Sequence, residues 1–172
     1  MTMTQLIGRP GFLQDEEMGF EEKLVDAPNT MFFGTNMQNS GNTKHHFAYV
    51  FDEGYKLVFS AAVAACPEER AQDALEYLEG RGIDVICVHL GVDAIDWGEF
   101  LLANVPNFTG VALEKMMAAL RVFLKSERMV GLSVAEIYSD HDPGYGMMER
   151  LWDQIIGMLV GKEETKIAQG VA

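Results

Sequence analysis

The stretch IDVICVHLGVDAID, residues 83–96, joins an apolar, β-branched run to two spaced carboxylates. The run up to Leu90 predicts a buried β-strand, because such residues are enriched where a strand is covered by helices. Asp93 and Asp96 follow at the point where that strand would end. Open α/β sheets carry their chemistry at strand ends. This stretch therefore predicts both a parallel sheet and the place of its functional site.

Composition narrows the class of protein. The chain has 172 residues, of which 48% are hydrophobic and 10% aromatic, enough for one globular core. Thirteen basic and 26 acidic residues give a net charge of −13, which opposes binding to nucleic acid or an anionic membrane and suits cations or a basic partner. No apolar run approaches the roughly 20 residues that span a bilayer. We expect a cytoplasmic protein with no nucleic-acid or membrane partner.

Strand and helix patterns alternate along the rest of the chain. Turns and glycines separate short β-type runs from segments whose apolar residues recur at helical spacing. Strands are predicted at 29–34, 55–61, 83–90 and 129–137. Helices are predicted at 44–52, from 67 to Gly80 or Gly82, at 113–124 and at 148–159, the last with an apolar face formed by Met148, Leu151, Trp152, Ile155 and Leu159. This order predicts an α/β fold with three layers, α/β/α, around a mainly parallel sheet. We expect a loose arm at 1–22, one domain at 23–161 and a loose tail at 162–172.

Three blocks of sequence resemble the carboxy-terminal half of the arginase and agmatinase family, the manganese ureohydrolases. His89 to Trp97 is similar to the family's Asp-x-Asp-x-x-Asp-Pro signature after an apolar strand, and Pro106 to Gly110 resembles its proline and glycine loop. Gly131 to Ile137 looks like the family strand that ends in a glutamate holding the substrate's guanidinium, here Glu136. The likeness covers about 28–159 and implies a truncated arginase-like fold.

The family's metal ligands are incompletely matched. The first ligand position of the signature is Gly91, which has no side chain, while Asp93 and Asp96 occupy the second and third, and Trp97 replaces the proline. The upstream motifs Gly-Gly-Asp-His and Asp-Ala-His are absent from the sequence. We therefore expect no cofactor. Manganese would bind only if another chain completed the site, with Asp93 and Asp96 as the ligands from this chain.

Each candidate acid–base residue also has a structural interpretation. Asp93 is either an ionisable site residue or an inherited loop cap, and His89 is either a base or a hydrogen-bonded strand residue. Glu136 ends an apolar strand, where a carboxylate is costly unless it is paired or functional. His141 lies between two aspartates that could tune it as an acid or base. The same aspartates could instead cap the entry to a helix.

A ligand pocket is predicted beside these groups. Trp97, in place of a loop proline, could wall a pocket together with Asp96 and Tyr138, or could simply fill space. The two cysteines, Cys66 and Cys87, have no metal-finger spacing and are predicted to be reduced structural thiols, with Cys87 inside a buried strand.

Three functional classes are open. The first is an arginase-fold enzyme that acts without metal on a small molecule, with Asp93, Glu136, His89 and His141 as acid–base groups. The second is a noncatalytic binding or regulatory protein, and the third is a ureohydrolase completed by another chain. The retained carboxylates favour the first. Because the strand Met129 to Ile137 would be left with a bare edge, we also expect a homodimer, a partner or the arm to pair with it.

Overall fold

The computed structural model describes residues 4–6, 26–39, 48 and 50–168. Five strands form one sheet: β1 (Thr4–Leu6), β2 (Met31–Thr35), β3 (Lys56–Phe59), β4 (Ile86–Gly91) and β5 (Met129–Ala135). The α-helices of this part of the chain are α1 (Ser60–Ala65), α2 (Pro67–Gly80), α3 (Leu113–Lys125) and α4 (Gly146–Ala168). The predicted α/β class is confirmed.

The strand order across the sheet is β3-β2-β1-β4-β5. β2 pairs in parallel with β3, and β4 pairs in parallel with β5. The short β1 lies between these two pairs and is antiparallel to both β2 and β4. Consequently β2, β3, β4 and β5 all run in one direction and end at the same side of the sheet, called here the carboxyl edge. The prediction of a mainly parallel sheet is confirmed.

The main core lies between one face of the sheet and the helices α2 and α3. Pro67, Glu68 and Glu69 occupy the first turn of α2, where the proline lacks an N–H to satisfy and the acids complement the helix dipole. The buried face of α2 repeats at helical spacing, and α3 does the same; their buried residues are Ala71, Ala74, Leu75, Leu78, Leu113, Met116, Met117, Ala119, Leu120, Phe123 and Leu124. Phe33 of β2 packs edge-on against Phe123, with ring centroids 5.1 Å apart.

A smaller cluster covers the opposite face of β2. Phe32 points away from its neighbours Met31 and Phe33, because side chains alternate along a strand. It packs with Tyr55 at a ring distance of 5.2 Å and with Val50, whose segment 50–52 is helical. Both faces of the sheet therefore carry apolar side chains, as a layered α/β/α arrangement requires. The rest of the predicted helix 44–52, apart from residue 48, lies outside the described residues.

Three local predictions were wrong. The strand predicted to reach residue 61 ends at Phe59, and Ser60 begins α1. β4 is buried on one face only, so that Cys87 is exposed rather than enclosed. α4 continues to Ala168, past Leu159, where this helix was predicted to end. Trp152 and Leu159, which lie on the apolar face predicted for this helix, are exposed.

β5 is the last strand of the sheet within the described chain. It contains no charged residue and no proline, and Val130 at its start is 61% exposed. The only described part of the amino-terminal arm is β1, which pairs in the sheet interior rather than along β5. Association through β5 therefore remains a prediction. None of the described helices is long and apolar enough to cross a membrane.

Candidate acid–base site at the carboxyl edge

Asp93 is buried directly after β4. The strand ends at Gly91, and a single 3-10 turn, Val92–Ala94, places Asp93 with only 1% of its surface exposed. Neither carboxylate oxygen receives a hydrogen bond from the described residues. Burial raises the pKa of Asp93 from 3.8 to about 7, and the negative charge of Glu136 acts in the same direction. This carboxyl group therefore changes its protonation near neutral pH.

Two buried asparagines hold the turn around Asp93. The side-chain amide of Asn107 donates to the backbone oxygen of Asp93 over 3.0 Å. Asn36, which directly follows β2, donates to Asn107 Oδ1 at 2.6 Å and to Thr109 Oγ1 at 2.7 Å. The ends of β2 and β4 are thus joined through polar side chains. Sequence reasoning missed both asparagines, although Asn36 follows an apolar strand as Asp93 does.

A close backbone crossing fixes the same loop. Val111 N–H donates to Ala94 O at 3.0 Å, and Asp96 N–H donates to Val111 O at 2.8 Å. A side chain at Gly110 would place its Cβ 2.6 Å from Asp96 N and from Ile95 C. Only glycine can occupy this position without displacing one of the two backbone segments that cross here.

His89 lies on the less covered face of β4 and is directly opposite Ser133 of β5. Its Nδ1 is 2.8 Å from Ser133 Oγ. Burial lowers the pKa of His89 below 6.5, and the nearby charge of Glu136 partly offsets that shift. The imidazole is therefore neutral at physiological pH and can accept a proton.

Glu136 occupies a strained backbone conformation at the end of β5. Its φ is 63°, in the left-handed region that glutamate rarely adopts. Asn104 N–H donates to Glu136 O over 3.0 Å, and Ala103 forms an antiparallel bridge with Ile137. The loop that contains Ala103 and Asn104 therefore holds Glu136 in this conformation. The side chain is exposed. Such strain is found where the position of a side chain matters.

His141 belongs to an aromatic cluster formed by Trp97, Phe108, Tyr138 and His141. Trp97 packs against Phe108 and His141 with centroid distances of 5.4 and 6.0 Å, and Tyr138 lies 4.6 Å from His141. His141 Nδ1 is 3.1 Å from Leu101 O and 3.0 Å from Ala103 O. Because a carbonyl oxygen only accepts, Nδ1 carries a proton, and Nε2 is the basic nitrogen of the neutral ring.

Two aspartates of the predicted set act as caps. Asp96 Oδ1 accepts from Gly98 N–H at 2.9 Å, so Asp96 caps its own turn. Asp142 Oδ2 accepts from Met148 N–H at 2.8 Å near the start of α4. The segment containing His141 is therefore also a capped entry to a helix.

The predicted residues thus fall into two groups. At the ends of β4 and β5, Glu136 interacts electrostatically with both Asp93 and His89. Trp97, Tyr138 and His141 form the aromatic cluster beside them, joined to Asp93 through Asn107, whose backbone oxygen accepts from Trp97 N–H at 2.9 Å. Phe108, 68% exposed, belongs to this cluster although the sequence analysis did not select it as a site residue.

The side chains of this site do not by themselves fit a pair of manganese ions. The side chain of Gly91 contributes no ligand, and one carboxylate oxygen of Asp96 accepts a hydrogen bond from the backbone N–H of Gly98. Among the described residues, no group of three or more histidine, cysteine, aspartate or glutamate side chains is placed to hold a metal ion. Both carboxylate oxygens of Asp93 are buried and have no hydrogen-bond partner among the described residues.

Comparison with known proteins supports the fold through structure alone. No protein-family model matches the sequence, and no curated protein matches it. Among solved structures, Bacillus subtilis formimidoylglutamase superposes with a TM-score of 0.68 at 12% identity, over 77% of this chain and 40% of that one. Helicobacter pylori arginase superposes with a TM-score of 0.61 at 18% identity, over 77% of this chain and 44% of that one. Trypanosoma cruzi formiminoglutamase, crystallised with Mn²⁺, superposes with a TM-score of 0.66 at 13% identity, over 82% of this chain and 47% of that one.

These matches confirm the arginase-type fold that the sequence motifs implied. The chain spans less than half the length of each of these three structures. At such low identity the likeness shows the fold and not the chemistry. The activity must be argued from the side chains of this chain.

Proposed function

We propose that this protein is a metal-independent enzyme that acts on a small molecule by acid–base chemistry at the carboxyl edge. The observation that carries the proposal is the buried carboxyl of Asp93, which has no hydrogen-bond partner among the described residues and a pKa of about 7. A general acid or base works best when its pKa lies near the working pH. A purely structural loop carboxylate would be paired or exposed to water.

The neighbouring groups divide the work. Glu136 is exposed and held at the end of β5, where it can contact a ligand directly. His89 is neutral because of its lowered pKa, and its bond to Ser133 fixes the ring. Glu136 or His89 would take a proton from the substrate. Asp93, which is protonated below about pH 7, would supply one. Groups whose surroundings move their pKa values apart are the usual basis of such a division.

The aromatic cluster forms the apolar side of the proposed site. His141 Nε2 and the ring faces of Trp97 and Tyr138 would contact the non-reacting part of a ligand. The segments 82–114 and 129–149, which build the site, contain no lysine or arginine. A neutral or positively charged substrate therefore fits better than an anion.

The test is turnover by purified protein with and without excess EDTA. A panel of small amines, amides and guanidino compounds, including arginine and agmatine, would be compared for wild type, Asp93→Asn, Glu136→Gln and the exposed control Glu127→Gln. We expect product to form in EDTA with wild type and the control, and a loss of about a hundredfold in the two site variants. A requirement for added Mn²⁺ would instead support a ureohydrolase completed by another chain. Ligand binding without turnover would make the protein a binding module.

A further inference from the structure

A groove runs along β3, at the other end of the sheet from β5. It has a volume of about 300 Å³ and is lined by Met31, Ala62, all four residues of β3 and part of α2. The residues from α2 are Arg70, Asp73, Ala74 and Tyr77, which lie at intervals of three and four and so form one face of the helix. The groove therefore lies between an edge strand and a helix.

Within the described part of the chain, the backbone of β3 is unpaired on the side that faces this groove. Side chains of a strand alternate between its two faces, so a cavity lined by four consecutive residues must reach the strand's edge. Lys56 N–H donates to Thr30 O of the β2 segment at 3.4 Å. Because the amide and carbonyl of successive strand residues point to alternate sides, those of Leu57 point outward. No strand of the described chain pairs with β3 on that side.

The side chains of the groove offer an apolar floor and one available cation. Met31 and Ala74 are buried at its base, and Leu57 and Val58 are half-buried. Arg70 is engaged by Asp73 at 2.8 Å and by Glu69. Lys56 lies 5.3 Å from the centre of the Tyr77 ring, and none of the described ion pairs involves it. A carboxylate from outside the described chain could therefore pair with Lys56.

We propose that this groove binds an extended peptide segment of a partner protein, which adds a strand to β3. The partner's backbone would pair with the outward N–H and C=O of Leu57, as in other cases of strand addition to a sheet edge. One bulky apolar side chain would enter the groove over Met31 and Ala74. An acidic side chain of the segment would pair with Lys56. This site is separate from the proposed acid–base site and does not depend on it.

The first test uses a random peptide library displayed on phage. Peptides would be selected on the wild-type protein and counter-selected on Lys56→Glu, with Lys125→Glu as a control, because Lys125 is also exposed but lies at the end of α3. We expect enriched peptides to alternate apolar and polar residues and to carry an acid near one bulky apolar residue. No enrichment over the Lys56→Glu counter-selection would overturn the proposal.

A synthetic copy of the enriched peptide then separates strand addition from simple pocket binding. We expect Lys56→Glu to weaken its binding about tenfold, and exchange of the peptide's acid for lysine to restore binding to that variant. Methylation of the backbone nitrogens that face β3 should abolish binding, while methylation of the alternate nitrogens should not. Equal binding of both methylated peptides, or equally tight binding of N-acetyl-leucine amide, would show that the groove takes a side chain and not a strand.

Discussion

Glu136 and Asp93 interact electrostatically across the ends of two adjacent parallel strands, and the charge of Glu136 adds to burial in raising the pKa of Asp93 to about 7. The two groups differ in environment, because Glu136 is exposed and Asp93 is 1% exposed. The buried carboxyl of Asp93 therefore keeps its proton to a higher pH than an aspartate exposed to water. This pair is the basis of the proposed chemistry.

Asp93 should make the stability of the fold depend on pH. Between about pH 4 and pH 7 the folded protein keeps the Asp93 proton while the unfolded chain releases it, because burial raises the pKa from 3.8 to about 7. The free energy of unfolding therefore falls as pH rises through this range and levels off above it. Asp93→Asn should remove this fall, and at pH 8 the variant should be more stable than the wild type by at most about 4 kcal/mol.

Urea denaturation of both proteins at a series of pH values measures this effect. The exposed aspartate Asp84 provides the control substitution Asp84→Asn. An identical pH slope in wild type and Asp93→Asn would contradict the assignment of the raised pKa to Asp93.

Glu136→Gly should stabilise the protein while removing its function. Glycine adopts the observed φ of 63° without the steric cost that a side chain meets there, which corresponds to about 1 kcal/mol. Glu136→Gln keeps the strain and should leave the urea midpoint nearly unchanged. Both variants lack the carboxylate and should lose about a hundredfold in activity. Loss of stability in Glu136→Gly would mean that the glutamate side chain is held there for structural reasons.

Gly110→Ala should displace the loop that supports Asp93. The new Cβ would lie 2.6 Å from backbone atoms of the Ile95–Asp96 segment, so the loop carrying Asn107 must shift, at a cost of about 1–3 kcal/mol. Trp97 fluorescence should change as well, because this loop holds Trp97 through a backbone hydrogen bond from Trp97 N–H to Asn107 O and through the contact of the Trp97 ring with Phe108. Gly144→Ala is the control, since nothing lies within 4 Å of its added Cβ. Equal stability and fluorescence of the two variants would contradict the close crossing.

The uncharged edge of β5 should form a homodimer. A strand with no charge or proline leaves its backbone open to another copy of itself, and Val130 is 61% exposed beside it. Light scattering after size-exclusion chromatography at micromolar concentration should give the mass of a dimer for wild type and of a monomer for Val130→Lys. Val105→Lys, at an exposed loop valine, should remain dimeric. A monomeric wild type would show that this edge is protected in another way.

The sequence predicted the helices α2 and α3 and the strand β4 well, because each carries a continuous periodic pattern set by burial. It could not predict β1, where Thr4–Leu6 forms a strand only through pairing with β2 and β4. It also placed Cys87 in the interior, since an apolar run does not show whether one or both faces of a strand are covered.

The sequence also predicted only part of the site, because some of its residues come together only in the folded chain. Asp93 and Glu136 stand out because a carboxylate directly after an apolar strand is unusual. Asn36 and Asn107 were missed, because a pair of asparagines 71 positions apart gives no local signal and their 2.6 Å hydrogen bond exists only in the folded chain. Which of the candidate acids has a raised pKa also depends on burial, and Asp96, three residues from Asp93, is instead the cap of a turn.

The most direct test of the central claim is a ¹³C NMR titration of the carboxyl carbon of Asp93 in protein labelled at the aspartate γ-carbon, assigned by its loss in Asp93→Asn and recorded without and then with a trace of Mn²⁺. The account predicts a midpoint near pH 7 and no paramagnetic broadening of this signal by the added ion. A midpoint near pH 4, or selective broadening by Mn²⁺, would contradict it. A midpoint near pH 4 would show that Asp93 is an ordinary exposed or paired carboxylate, and selective broadening by Mn²⁺ would show that it belongs to a metal site.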